Sequence, residues 1–427
     1  MSESPETVIK NAYLQDRDRV VDIAIDGGKI TAIGDPGSAT GETEIDAKEN
    51  LVSPGFVDSH KHIDRAFAIA GDRKPKEVDD PEISGDINAQ FDRHYDTTPF
   101  DEIVENAVRA IEKASASGAT YVRTHVGVDH SIGTDTMKAC LEAKERTADL
   151  VDLQLVPASY GGITAEGGEE QVREAIEMGL SAVDDERDVL IGGADPGSRN
   201  RDIPRTIETW FDVATDYDID LDVHIQDHGT LGHRTLDQLV TETRARGYEG
   251  RVTASHCFSL AQASPEQLDT LLDAAQSINL KMVTCYNSVR YEMPLREIVG
   301  AGIPLGHGTD NTRDFVLPSG DGDTLFGLAV MAQKLIGADP SRETYRWTES
   351  NAGYDFLWDL ATYQGAVVLG IDDEYGIAEG SNADLVVFDE PSRQWAAIGM
   401  ANREYVLKNG QIVVEDGEIL PEYRASS

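Results

Sequence analysis

Eight apolar strand candidates alternate with helical periodicity through the middle of this chain. Metal-binding side chains recur at the C-terminal ends of those strands, and both chain ends carry short strands set off by turn signals. These observations predict an α/β protein: a (β/α)8 barrel of the TIM barrel type beside a small β-sandwich to which both termini contribute. The length of 427 residues suits a barrel of roughly 250–350 residues plus a smaller module.

From the N-terminus, Val8–Tyr13, Val20–Ile25, Lys29–Ile33 and Glu44–Ile45 read as short strands, separated by Asp26-Gly27-Gly28 and Gly34-Asp35-Pro36-Gly37 turns. The barrel strands are expected at Val52–Val57, Ala119–Val126, Val151–Ala158, Val189–Gly193, Ile219–Ile225, Arg251–His256, Leu280–Cys285 and Ile303–Gly306. Helical periodicity follows in segments such as Phe100–Ser117, Ile203–Tyr217, Ser264–Ala275 and Asp323–Ile336. Residues 68–99 form a long polar insertion after the first barrel strand, placed to act as a lid over the C-terminal face. Near the end, Ala383–Phe388 is a strand, and Tyr405–Leu407 with Gln411–Val414 is a hairpin around Asn409-Gly410. The expected division is residues 1–55 and 366–427 in the sandwich and 56–365 in the barrel.

Asp plus Glu number 78 against 37 Lys plus Arg, a formal net charge of −41. Such a field repels nucleic acid and anionic membranes. The acids are spread along the chain rather than held in a tail. That is the pattern of a halophilic surface, on which salt screens the self-repulsion; recruitment of a cationic partner is the other reading. No run approaches the ~18 apolar residues of a membrane helix, and Met1–Lys10 carries no apolar signal region. A cytoplasmic protein without nucleic-acid or membrane partners is expected, with a homo-oligomer left open. Cys140, Cys257 and Cys285 make no C-x-x-C pair and no even-numbered disulfide framework, so they read as free thiols.

The chemistry is indicated by position. His60-Lys61-His62 follows the first barrel strand, His125 ends the second, His224 the fifth and His256 the sixth, and Asp310 follows the eighth. Barrel active sites are built at this face. His60 and His62 alternate along an extended segment and so point to one side, where two imidazoles can share a cation. A His-x-His pair also occurs on plain surfaces; its place after Ser53-Pro54-Gly55-Phe56-Val57-Asp58 at a strand end sharpens it. His224 supplies a third nitrogen and Asp310 a carboxylate, leaving room for a water made acidic by the cation. Asp310 can take that water's proton; the bland reading is a turn or cap residue. His256 is placed to orient hydroxide or to stabilise a tetrahedral intermediate, against a structural reading as a core histidine. His125 faces the same choice. His94, His130, His228, His233 and His307 are assigned no role.

Pro54-Gly55-Phe56-Val57-Asp58-x-His60-x-His62, with His224, His256 and Asp310, resembles the amidohydrolase superfamily. His62-Ile63-Asp64, Val122-Arg123-Thr124-His125-Val126, Asp222-Val223-His224 and Arg251–His256 are similar to its cytosine deaminase-like branch, and Gly380-x-x-Ala383-Asp384-Leu385 extends the likeness to the C-terminus. The resemblance implies one divalent ion, Zn or Fe, on His60, His62, His224 and Asp310, with His256 assisting the water. It also implies hydroxide attack on a ring carbon with loss of ammonia. The fourth strand lacks the lysine with which two-metal relatives bridge their ions, which argues for a single metal. Tyr160, His125 and Asp64 are expected to contact substrate.

Two departures matter. Asp227 stands where deaminases of the family usually place a glutamate acid/base, three residues after the strand-five histidine. Tyr160 matches the position from which cytosine-specific members read the pyrimidine edge with glutamine, and a phenol cannot copy an amide's paired donor and acceptor. Three functions follow. The first is a metal-dependent deaminase of a small N-heterocycle, a cytosine-like pyrimidine or a triazine. The second is a hydrolase of an N-alkylamino or cyclic amide C–N bond, of the N-isopropylammelide type. The third is a non-catalytic ligand-binding relative, against which the intact ligand set argues.

Overall fold

The computed structural model describes residues 5–69, 87–129, 132–286, 293–338 and 351–425. Strands β1 (Thr7–Leu14), β2 (Arg19–Asp26), β3 (Lys29–Gly34) and β4 (Thr43–Asp46) form one sheet in the order β3-β2-β1-β4. β5 (Val52–Pro54) leaves that sheet and joins the C-terminal strands. Strands β6 (Phe56–Lys61), β7 (Ala119–Gly127), β8 (Asp152–Ala158), β9 (Ile191–Ala194), β10 (Leu221–His224), β11 (Val252–Ser255), β12 (Lys281–Cys285) and β13 (Leu305–Gly308) pair in parallel. They fall into a three-stranded sheet, β6-β7-β8, and a five-stranded sheet, β13-β12-β11-β10-β9. Single parallel bridges, Lys61 to Asp310 and Leu155 to Val189, join the edges of the two. Finally β14 (Leu385–Phe388), β15 (Arg403–Lys408), β16 (Gln411–Glu415) and β17 (Glu418–Ile419) make a five-stranded sheet with β5.

Helices between the parallel strands start and stop where local chemistry dictates. Ser264 caps the helix Pro265–Gln276 in a reciprocal capping box with Gln267, and Pro265 opens it. The Asp202 carboxylate accepts from the Arg205 N–H at the start of Ile203–Tyr217. In the C-terminal hairpin Asn409 and Gly410 both have positive φ, 49° and 75°, the geometry for which an Asn-Gly pair is suited.

The first parallel strand differs from expectation. Val52–Val57 is not one strand: β5 pairs with β14, and β6 pairs with β7. The break is Gly55, where a Cβ would lie 2.2 Å from the Thr120 hydroxyl oxygen. Only glycine lets the backbone pass this close while changing sheets.

One core lies between the parallel strands and their helices, with Val122, Leu155, Val223 and Met282 packed with Ile111, Ile207, Trp210 and Leu239. A second joins the two terminal sheets: Ile9, Ile23 and Ile25 with Val52, Leu385, Val387 and Leu407. Buried Lys408 ties the two regions together through Asp384 (2.8 Å) and Asp152 at the start of β8 (2.7 Å). Most of the lid expected over 68–99 lies outside the described residues; Ile87–Thr97 is helical. Among the described residues, no helix is long and apolar enough to cross a membrane.

Candidate metal centre

The C-terminal ends of β6, β10, β11 and β13 bring His60, His62, His224, His256 and Asp310 together, all buried. Asp310 N–H donates to the His60 carbonyl (2.7 Å), and His62 N–H donates to the Asp310 carbonyl (3.2 Å). Gly308 permits this approach, since a Cβ there would meet the His60 Cβ at 2.5 Å. The result is a cluster of ring nitrogens around one carboxylate. His62 Nε2 lies 3.3 Å and His60 Nε2 3.8 Å from Asp310 Oδ1, and His224 Nε2 lies 3.4 Å from His62 Nε2. His256 packs its ring 4.8 Å from that of His60. The backbone is left-handed at His256 (φ 74°) and Asp310 (φ 59°), uncommon for such residues and concentrated at functional sites.

The donor set fits a cation. His60 Nε2, His224 Nδ1 and both His256 nitrogens are buried without a hydrogen-bond partner, a costly state unless something accepts their lone pairs or protons. Burial, and then the neighbouring His125, holds His60 and His224 well below the usual imidazole range; burial followed by Arg65 brings His62 down to about 4. Neutral imidazoles are the form that ligates metal. The potential donor atoms form overlapping groups: His60, His62 and His224; His60, His256, Cys285 and Asp310; and His60, His125 and Asp222.

Behind the cluster runs a buried chain of contacts. Ser255 Oγ lies 3.1 Å from His60 Nδ1 and donates to Asp222 Oδ1 at 2.8 Å. Asp222 Oδ2 accepts from Arg123 Nη1 at 2.9 Å, and Arg123 Nε donates to Gln154. A serine that donates to a carboxylate accepts from its other neighbour. The His60 proton therefore sits on Nδ1 and its Nε2 lone pair faces the cluster. His125 lies beneath His60 (rings 4.2 Å apart), 3.5 Å from Asp222. That places it deep in this network rather than on an open surface.

Tyr160 brings its ring within 5.6 Å of His224 and 6.1 Å of His62, and burial keeps its phenol protonated. Asp64 Oδ2 accepts from Gly127 N–H and the Tyr95 hydroxyl. Asp227 is buried, but Oδ2 accepts from Gly197 N–H (2.9 Å) and Oδ1 from Ser198 N–H (3.1 Å). Its carboxylate thus ties the loop after β10 to the loop after β9. His130 lies outside the described residues.

Sequence reasoning passed over Ser255, Asp222, Arg123, Arg65 and Lys61. Asp222 and Arg123 stand two residues before His224 and His125 on the same strand faces, so the period of two could have flagged them as the layer below. Buried Lys61 donates to Thr309 Oγ1 (2.7 Å) and pairs with Asp58 (3.3 Å).

The amidohydrolase family model matches residues 43–414. An N-isopropylammelide isopropyl amidohydrolase of Pseudomonas sp. (strain ADP) is 37% identical over 421 residues, covering 98% of this chain and all of the relative. Among solved structures, an N-isopropylammelide isopropylaminohydrolase from Burkholderia multivorans superposes with a TM-score of 0.85 at 24% identity, covering 97% of this chain and 100% of the other. A 5-methylcytosine deaminase from Klebsiella pneumoniae reaches 0.80 at 24% identity over 96% and 98%. These structures share the fold.

Proposed function

Because this chain belongs to the amidohydrolase family, we propose that it hydrolyses the exocyclic C–N bond of an N-alkylamino group on a small oxygenated N-heterocycle, of the N-isopropylammelide type. The end-to-end similarity to a Pseudomonas amidohydrolase of that name carries this reading. It takes precedence over simple deamination, the reading the sequence motifs favoured first. Asp227 in place of glutamate and Tyr160 in place of glutamine point the same way. Deamination of a ring amine is the second reading; the intact His256 and the shared fold of the deaminase structure keep it in view.

His60, His62, His224 and Asp310 would hold one divalent ion, zinc or iron. When bound, such an ion makes water acidic enough to furnish hydroxide near neutral pH. The Asp310 carboxylate takes the water's proton and returns it to the leaving nitrogen. His256, buried and neutral, orients the attacking oxygen at the tetrahedral carbon, while the negative charge gathers on the adjacent ring nitrogen. Tyr160 and Asp64 line the approach to the ring, while His125, expected there from the sequence, supports His60 from beneath. One water is consumed: its oxygen and one proton stay on the ring as a hydroxyl or its oxo tautomer, and the proton carried by Asp310 leaves with the alkylamine. The architecture proposed around this chemistry is a closed barrel over 56–365 with a sandwich of 1–55 and 366–427.

The deciding experiment is product analysis by mass spectrometry on metal-loaded protein in high salt. Release of an alkylamine from an N-alkylaminotriazine supports the proposal. Ammonia from aminopyrimidines or aminotriazines, with no alkylamine, supports the second reading. No turnover at full metal content would sink both.

A further inference from the structure

We propose that Arg65 is a specificity-determining residue of this site, selecting rings that carry an oxygen acceptor beside the scissile C–N bond. The inference rests on the C–N hydrolase reading and names the residue that selects its oxygenated ring.

Arg65 stands three residues beyond His62, and its side chain is 11% exposed. Two aromatic rings clamp the guanidinium: its carbon lies 4.7 Å from the Tyr160 ring centroid and 4.9 Å from that of Phe91. Both contacts are within cation–π range and hold the plane in one orientation. The Nη2 tip reaches the ligand cluster, 2.5 Å from His62 Nδ1 and 3.1 Å from His62 Nε2. A charge that never leaves arginine is thus fixed beside the reacting centre.

This arginine is not used as structural arginines are. A buried guanidinium is ordinarily offset by a bidentate carboxylate. Here Asp64 Oδ1 stays 3.9 Å from Nε, while its other oxygen is occupied by Gly127 N–H and the Tyr95 hydroxyl. Nε is buried and makes no hydrogen bond. The His62 contact is itself conditional. With Nε2 of His62 given to a cation, Nδ1 carries the proton and no longer accepts from Nη2. Arg65 then has donors facing the centre and no acceptor among the described residues.

A cavity of about 100 Å³ is lined by Arg65 together with Asp64, Phe91, Tyr95, Asp129 and Tyr160. Asp129 Oδ1 already accepts from Ser159 Oγ and Gly161 N–H. The cavity's carboxylates make it unfavourable for an electron-rich ring edge, so the acceptor is assigned to the Nη2 tip beside His62. An oxo substituent offers two lone pairs in the ring plane, both of which the guanidinium fork can meet. A fully aminated ring presents N–H donors to the same fork and leaves it unsatisfied.

The test compares an N-alkylaminotriazine bearing two ring oxygens with one bearing two amino groups, on wild type, R65M and R65K. Metal content and melting temperature are measured on each protein. Wild type should favour the oxygenated ring. R65M should lose about 10- to 100-fold in kcat/KM on that ring alone, mainly through KM, with metal content retained; R65K should recover part. Equal turnover of both rings by wild type, or an unchanged preference in R65M, overturns the inference and leaves the C–N hydrolase reading standing. If neither ring turns over, that reading fails, and calorimetry with cyanuric acid as an unreactive trioxo ring decides for Arg65. Binding at least tenfold weaker to R65M supports it; equal binding overturns it.

Discussion

Replacing Ser255 by alanine deletes one hydroxyl and interrupts the buried chain from His60 to Asp222. In the parent, His60 Nδ1 and Asp222 Oδ1 lie 3.1 Å and 2.8 Å from that oxygen. His60 is fully buried, so no water takes over, and the ring loses the partner that fixes its tautomer. Loss of such an outer contact typically lowers metal affinity by about 10- to 100-fold, or roughly 1.4–2.8 kcal/mol. Asp222 keeps Arg123 at 2.9 Å, so no charge is orphaned and the metal-free fold should lose only about 1 kcal/mol. Chelator competition on the two proteins reads the first quantity, and denaturant melts of the metal-free forms read the second. An S255A protein that holds its metal as tightly as the parent would show that the chain does not tune His60. Asp222→Ala is the contrast: it strands Arg123 in the interior and should cost about 3–5 kcal/mol of stability.

Three further outcomes are expected. Asp227→Asn should cut turnover at unchanged metal content, because Asp227 stands where the family's acid protonates the ring nitrogen while Asp310 serves the water; a lower melting temperature with normal turnover would reduce it to the loop tie seen at Gly197 and Ser198. Burial lifts the Asp314 carboxyl to about 6, above its unfolded value, so its protonated form is favoured on folding and that contribution fades as pH rises through 6. Asp314→Asn, whose carbonyl can keep the Val316 and Leu317 N–H groups once the Asn311 amide turns over, should gain stability relative to the parent between pH 5 and pH 8; a constant difference refutes the charge argument. Dialysis from molar to low salt should lower the melting temperature of a chain with net charge −41, and an unmoved transition removes the halophilic reading.

Much of this was legible in the chain. Apolar runs marked the parallel strands, and histidines at their ends marked the site, because a strand end fixes where a side chain must point. What escaped depends on contacts between distant segments. Gly55 divides a continuous apolar run because Thr120 crowds it, which local patterning does not register. Lys61 stands between two ligands with no local signal of its surroundings, and it is buried on Asp58 and Thr309. Arg65 adjoins the His-x-His motif but shows its importance only through Phe91 and Tyr160. Cys285, read as a plain thiol, lies in the donor cluster with His60, His256 and Asp310.

The pairing of β5 with β14 also sets a timetable. Val52–Pro54 finds its partner in Leu385–Val387, roughly 330 residues later. At translation rates of 5–20 residues per second the early strand waits about 15–70 s for that partner to be made. During the wait β1 to β4 form a sheet whose apolar face, Ile9, Ile23 and Ile25, has no Leu385 or Val387 to cover it. The newborn protein therefore carries a sticky surface on its first sheet until the strand Leu385–Phe388 has been made. Its yield in a cell will depend on what shelters that surface in the meantime.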